Sequence, residues 1–478
     1  MPVLLITDVF LWAMLLAVLV YAWRVRRNEP LRRTWALVFR RPVAAVSAVE
    51  LGFFVCVALL DSVHYRPALP GAAGQALTHA AEPVSLLDQL LAPLVQARER
   101  SYSEPLAITA FRKQSVEQDG QVLRDYPRLR FGGAHLQDAS MHSADLWQRT
   151  ALGLGLGALA SLVLIGLGLG WAAWRSQQPM AVVSRRWLRG QTVWPWRALA
   201  LSLSVLLLAC GWALVLSQHY HVLGTDRTGN SVLVMALKSI RTALVIGSLT
   251  TLVVLPLAML LGVLAGYLRG WVDEAVQYLY TLLASIPDVL LIAASVLMLQ
   301  VFIDKNQAFF ATGLERADAR LFFLCLLLGI TSFTGLCRLV RGETLKLREL
   351  EYIQSARAFG VSTPRILRLH IVPNLMHLVL INTVMQFSNF VLAEAVLSYV
   401  GVGVDPKTAS FGVMINTARS ELAATPVVWW TLSTAFVFML LLVLSANLLA
   451  DAVRDAFDPR MRLGKVPRRE AAGQEASA

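Results

Sequence analysis

Within a chain this apolar, the few polar clusters carry whatever chemistry there is. The densest is Arg338–Asn374, RLVRGETLKLRELEYIQSARAFGVSTPRILRLHIVPN. It contains no nucleophile–base pair and no metal-ligand set. Its chemistry is that of a recognition surface. Ser355, Ala356 and Ala358 are small enough to let a partner approach closely. This predicts a docking element for another protein. The alternative is an ordinary interfacial loop helix. A second set lies within apolar runs. Glu394 is costly there unless paired or wet, so it reads either as a gating residue or as a hydrogen bond to a neighbouring helix. Gln386 and Asn389 either line a pathway or bond between helices. Pro256 and Pro287 kink helices, as hinges or as packing features. A third set, His64, His79, His135 and His142, has Asp and Glu nearby but irregular spacing and no His-Glu-x-x-His pair, which argues against a metal hydrolase.

The docking cluster needs particular elements to present it. Glu351–Phe359 is rich in helix formers. Gly360 follows, where a helix can end in the left-handed conformation. Ser362 or Thr363 can cap a second helix with Pro364 in its first turn. Ile366, Leu367, Leu369 and Ile371 give that helix an apolar side, and Pro373 is expected to stop or kink it before the next apolar run. The reading is two short helices around a glycine bend, parallel to a membrane surface.

The membrane follows from composition. Of 478 residues, 56% are hydrophobic and only 15% charged, against about 25% charged in soluble domains. Mean hydropathy is +0.58. Disordered chains, disulfide scaffolds and ordinary cytosolic enzymes are excluded. The net charge of +12 reflects basic loops and not nucleic-acid binding. The cysteines, Cys56, Cys210, Cys325 and Cys337, all lie in apolar runs and read as small core hydrophobes. About nine stretches approach the length of a span: Val3–Ala22, Ala44–Leu60, Ala151–Trp174, Ala198–Leu216, Thr242–Tyr267, Leu279–Phe302, Leu321–Cys337, Leu375–Ala395 and Trp429–Leu449. The connections bearing Arg24–Arg41, Arg175–Arg197 and Arg338–His370, and the tail from Arg454 to Arg469, are basic. Alternation through these spans puts all of them on one side, the cytoplasm by the positive-inside rule, with the N-terminus outside. The first run, with its arginines after it, reads as an anchor and not as a cleaved signal. His64–Arg149 then lies outside, with turns at Asp119-Gly120 and Gly132-Gly133 and short strands expected around Val122–Phe131. Trp429 and Trp430 are expected to mark the outer interface. Gly153–Gly170 suits close helix packing and is not a phosphate loop.

On these residues the chain resembles the permeases of ATP-binding-cassette importers. QSARAFG followed by HIVPN is similar to their coupling loop, a Glu-Ala-Ala…Gly pattern followed by Ile-x-Leu-Pro. Gln354 stands where the family has Glu. HVLGTDRTGNSV (His221–Val232) resembles the segment after the first core span of oligopeptide/dipeptide-type permeases, with Asn230 and Ser231 in place of Arg-Asp. LAGYLRGWVD (Leu264–Asp273), Ser285–Pro287, LSYVGVG (Leu397–Gly403), Ser410–Gly412 and Asn447–Arg462 also match. The resemblance spans roughly Trp196–Leu463, and the long outer segment is similar to that of Yej-type peptide permeases.

The resemblance implies an all-α polytopic fold of the type I importer class. A six-helix core at 196–464 would follow anchor spans (1–63), a periplasmic insertion (64–149) and an extra span with a cytoplasmic linker (150–195), and would precede a disordered tail (465–478). It implies a bacterial inner-membrane transport subunit, itself not an enzyme, for peptides or peptide-like solutes. Its partners would be a homologous second permease, two ATPases, a periplasmic solute-binding protein and membrane lipid, with no nucleic acid. ATP and Mg would sit on the ATPases, since this chain has no phosphate loop. Glu351, Gln354, Ser355, Ala356, Arg357, Gly360, His370, Pro373 and Asn374 would couple to them. Pro287, Gln386, Asn389 and Glu394 would belong to the pathway or gate. A membrane enzyme lacks a catalytic cluster here, and a secondary transporter would show related halves that this sequence does not.

Overall fold

A computed structural model describes residues 2–67, 80, 83–118, 121–306 and 312–457. His79, the Asp119-Gly120 turn and the tail past Phe457 lie outside the described residues. The apolar runs become helices because a backbone in hydrocarbon must satisfy its own hydrogen bonds. In chain order these are α1 (Ile6–Arg27), α2 (Glu29–Phe39), α3 (Pro42–Asp61), the short α4 (Leu86–Leu90) and α5 (Ala92–Gln96), α6 (His142–Ser176), α7 (Met180–Leu188), α8 (Trp196–Ser217) and α9 (Val232–Leu268). They continue with α10 (Trp271–Ser285), α11 (Asp288–Lys305), α12 (Gly313–Arg348), α13 (Glu351–Ala358), α14 (Thr363–Ile366), α15 (Val372–Val400), α16 (Phe411–Leu422) and α17 (Trp430–Phe457). Among the described residues, 7 helices are long and apolar enough to cross a membrane, and up to 9 spans result if each of two bent pairs counts once.

Those pairs correct the expectation of straight spans at Leu279–Phe302 and Leu375–Ala395. α10 and α11 meet at 86°, and Thr363–Met376 meets Ile381–Val400 at 62°. The first break has a local cause. Ile286 precedes Pro287 and is held extended at φ −95, ψ 131, because the proline ring disfavours the helical region for its predecessor. α9, by contrast, runs through Pro256 as one helix of 37 residues.

Small residues bring the central helices together, as expected where apolar lipid gives no hydrophobic drive to pack. On α9, a Cβ at Gly262 would lie 2.8 Å from the Cys337 carbonyl oxygen of α12, and one at Gly266 would lie 2.8 Å from that of Arg341. The glycine-rich α6 does the same against α8: a Cβ at Gly157 would lie 2.6 Å from the Leu207 carbonyl, and one at Gly211 would lie 2.6 Å from that of Gly153. Cys325 and Cys337 are buried as expected, whereas Cys56 is exposed on α3 and Cys210 is half-buried on α8.

The loops sort to two ends. At one end β1 (Pro2–Val3) pairs with β2 (His64–Tyr65), which pairs with β3 (Val84–Ser85), all antiparallel. β4 (Gln114–Gln118) and β5 (Gln121–Asp125) form a separate antiparallel hairpin. The strand expected over Val122–Phe131 therefore ends at Asp125, where Tyr126-Pro127 interrupts it and a lone bridge joins Thr109 to Arg128. This segment is tied to the loop before α9: Ser103 accepts from the Thr225 amide at 3.1 Å, and the Leu106 amide donates to His221 at 2.9 Å. Trp430, expected at an exposed interface, is buried and donates to the Thr225 carbonyl at 3.0 Å. Its neighbour Trp429 is exposed. At the opposite end Arg41 pairs with Asp455, and the rings of Trp35 and Phe457 meet at 5.7 Å.

Candidate functional site: a helical elbow at the basic end

The segment between α12 and α15 folds as two short helices around Gly360. Its inner side is apolar and fixed. Ile353, Ile366 and Ile371 are buried within the main core beside Leu336 and Val340 of α12. The bend is a Schellman motif: the Gly360 amide donates to Arg357 at 3.0 Å and the Val361 amide to Ala356 at 3.1 Å. Gly360 has φ +74, a conformation that a side chain with a Cβ rarely adopts. Ser362 occupies the N-cap position of α14, with Pro364 in its first turn.

Pro373 does not stop the second helix. Leu367–Ile371 widens to a π-turn and runs directly into α15. The wider turn removes the clash between the proline ring and the carbonyl four residues back, so the chain continues helical. The elbow is thereby joined to α15 without a loop.

The outer side of the elbow faces solvent. Glu351, Gln354, Ser355, Arg357, Ala358, Gly360, Pro373 and Asn374 are exposed, and Ala356 and His370 are half-buried. Gln354 donates through Nε2 to the Glu349 carbonyl at 3.1 Å. Asn374 donates through Nδ2 to the Tyr352 hydroxyl at 3.0 Å and to the His370 carbonyl at 2.7 Å, and the Tyr352 and His370 rings meet edge-on at 6.1 Å. His370 in the π-turn and Asn374 in the first turn of α15 thus brace the elbow.

Two features were not singled out in the sequence. Phe359, immediately before the bend, is 87% exposed, an unusual position for a large aromatic at a membrane-protein loop. The base of the elbow is also held by charge. Arg341 of α12 makes a bidentate pair with Asp273 of α10 at 2.5 and 2.8 Å, Arg348 donates to the Tyr267 carbonyl at 2.6 Å, and Arg269 pairs with Glu349. A bidentate Arg–carboxylate contact fixes orientation as well as distance. The run Leu264–Asp273 carried the signal, since it matched the family pattern without a stated role.

The pathway candidates are not brought into one cluster. Pro287 is exposed at the α10–α11 break. Gln386 accepts from Asn389 Nδ2 at 3.3 Å on one face of α15. Glu394 is 2% exposed, accepts from Ser398 Oγ at 2.6 Å, and would lie 3.0 Å from a Cβ at Gly412 of α16. That bond lies within α15 and does not reach a neighbouring helix. Among the described residues no group of His, Cys, Asp and Glu is arranged to hold a metal.

Seven helices long and apolar enough to cross a membrane among the described residues, with a surface elbow between α12 and α15, define a multi-span membrane protein. The family of binding-protein-dependent transport system inner membrane components matches residues 258–463. The oligopeptide transport system permease protein OppC of Mycobacterium bovis is 34% identical over 242 residues, 51% of this chain and 77% of that protein. The glutathione transport system permease protein GsiD of Pectobacterium atrosepticum is 33% identical, covering 51% and 73%. The dipeptide transport system permease protein DppC of Bacillus subtilis is 28% identical, covering 51% and 69%. The chain belongs to this family. It is a multi-pass inner-membrane permease subunit of an ATP-binding-cassette importer, not the catalytic subunit.

Proposed function

We propose that this permease forms half of the translocation pathway of an importer for peptides or peptide-like solutes, and that the elbow Glu351–Asn374 receives the stroke of cytoplasmic ATPases. The observation that carries the reading is the elbow itself. One side is locked into the core by Ile353, Ile366 and Ile371, and the other leaves Phe359 and a polar surface uncovered. A force applied there passes without a loop into α15, which is bent by 62° between Met376 and Ile381, and into α12 and α10 through the Arg341–Asp273 pair. That is a lever, and ligand-biased rigid-body switching needs one.

In this reading a homologous second permease completes the pathway, two ATPases hold ATP and Mg, and a periplasmic binding protein delivers solute to the end bearing residues 64–149. The N-terminus lies outside and the C-terminus in the cytoplasm. The peptide class is supported by the similarity to oligopeptide and dipeptide transport system permeases. Copurification tests the reading. The full chain is expected to bring down nucleotide-hydrolysing subunits, and Phe359→Asp is expected to lose them while remaining inserted and monodisperse. Retention of the ATPases by that variant, or their absence from the parent assembly, would contradict it.

A further inference from the structure

α6, α7 and α8, with Val49 of α3, line an open cleft of about 620 Å³, separate from the elbow and from the pathway candidates. Its wall within the membrane is apolar and includes Leu164, Gly168 and Ala172 of α6 with Leu199 and Leu203 of α8. Its mouth, at the basic end of these helices, is flanked by α7, whose Val183, Arg186 and Trp187 reach the cleft. Gly168 has no atom within 4 Å of where a Cβ would stand, so helix packing does not require a glycine there.

The charge at the mouth is of one sign. Arg175, Arg185, Arg186, Arg189 and Arg197 cluster on and around α7, and no Asp or Glu occurs between Asp145 and Asp226. Among the described residues none of these arginines is in an ion pair. Trp171, Trp187 and Trp196 line the same cleft, and tryptophan prefers the headgroup level of a bilayer. An apolar slot at acyl-chain depth, capped by unpaired guanidinium groups at headgroup depth, complements one chemistry: an acyl chain ending in a phosphate.

We propose that this cleft binds an anionic glycerophospholipid of the surrounding bilayer, its acyl chain between α6 and α8 and its phosphate on Arg186 and its neighbours. The lipid would fill the gap left where α6 and α8 splay beyond their glycine contact. It would also fix α7 against the bundle. The inference depends on the membrane setting and not on peptide import, so its failure leaves the proposed function standing.

Native mass spectrometry of the full-length protein, with dioleoyl phosphatidylglycerol or dioleoyl phosphatidylcholine added in detergent, tests it. The parent is expected to retain one phosphatidylglycerol in preference to phosphatidylcholine. Arg185→Gln with Arg186→Gln is expected to weaken retention about fivefold for each arginine removed. Gly168→Leu and, independently, Ala172→Leu are expected to lose the lipid with an unchanged melting temperature. Arg32→Gln, on a distant basic connection, is expected to retain it. Equal retention of the two lipids by the parent, undiminished retention by the cleft-filling variants, or an equal loss in Arg32→Gln would overturn the proposal.

Discussion

Arg241 of α9 donates to Asp8 of α1 at 2.6 Å, with the two side chains only 11% and 1% exposed. His64 meets the other oxygen of Asp8 at 2.9 Å, and Thr7 bonds to Asp318 of α12 through both its hydroxyl and its amide. The first span is therefore not a loose anchor. It is pinned to the central helices by buried charge, at the end where the N-terminal strand also pairs with residues after α3.

Breaking that pair from one side leaves a buried guanidinium whose nearest remaining carboxylate, Asp318, is 3.7 Å away. Asp8→Ala is expected to destabilise the protein by about 3–5 kcal/mol. Asp8→Ala with Arg241→Met, which removes both charges, is expected to recover much of that loss. Thermal unfolding of the purified variants reads both. A double variant no more stable than Asp8→Ala would show that packing, not charge, holds α1.

Glu99 gives the outer segment a pH signature. Burial acts to raise its pKa, but the facing His221 and the backbone amides of Arg130, Phe131 and Gly132, at 2.8–3.1 Å, outweigh it and hold the carboxyl at about 2. A depressed pKa stabilises the fold fully above the ordinary value of 4.5. That contribution declines as pH falls from there towards about 2. The stability gap between parent and Glu99→Gln is expected to be constant from neutral pH down to about 5 and to close below 4.5. Melting curves across that range measure it, and a gap that widens in acid would refute the assignment.

Gly157 and Gly166 lie on the same helix with opposite expectations. A side chain at Gly157 runs into the Leu207 backbone at 2.6 Å, whereas Gly166 has nothing within 4 Å. Gly157→Val is expected to force α6 from α8 and cost about 1–3 kcal/mol by overpacking, while Gly166→Val is expected to be nearly neutral. Comparable melting temperatures for the two variants would mean that α6 and α8 do not pack as described.

At Gly360 the constraint is backbone conformation, since a Cβ would meet nothing within 4 Å and φ is +74. Gly360→Val is expected to abolish solute uptake while leaving membrane insertion intact, with a local strain of about 1–3 kcal/mol. Gly360→Asn, a residue that tolerates this conformation, is expected to keep partial uptake. Normal uptake in the valine variant would remove the elbow from the mechanism.

Much of the span layout is legible in the sequence because bilayer thickness sets span length. The elbow is legible because glycine and proline constrain the backbone locally. Gly360 and the helix start at Ser362–Pro364 fall where those rules put them, although the Ser362 side chain makes no capping hydrogen bond. Pro373, expected to stop or kink the helix, does not stop it; a π-turn precedes it and the chain bends by 62° between Met376 and Ile381. The α1 clamp is hidden for a different reason. Asp8, Arg241 and Asp318 are far apart in the chain, and only the fold makes them partners, although each was a charge beside an apolar run and so expensive when alone. Phe359 is missed because an exposed aromatic and a buried one look the same in sequence.

The most direct test is the sidedness and coverage of the elbow. Ser355, exposed on its outer surface, is replaced by Cys in a chain whose exposed Cys56 is changed to Ser. A membrane-impermeant maleimide is then applied to vesicles of each orientation. Labelling is expected in inside-out vesicles, and saturating the assembly with its ATPase subunits is expected to block it. Labelling confined to right-side-out vesicles, or unaffected by the ATPases, would contradict the central claim.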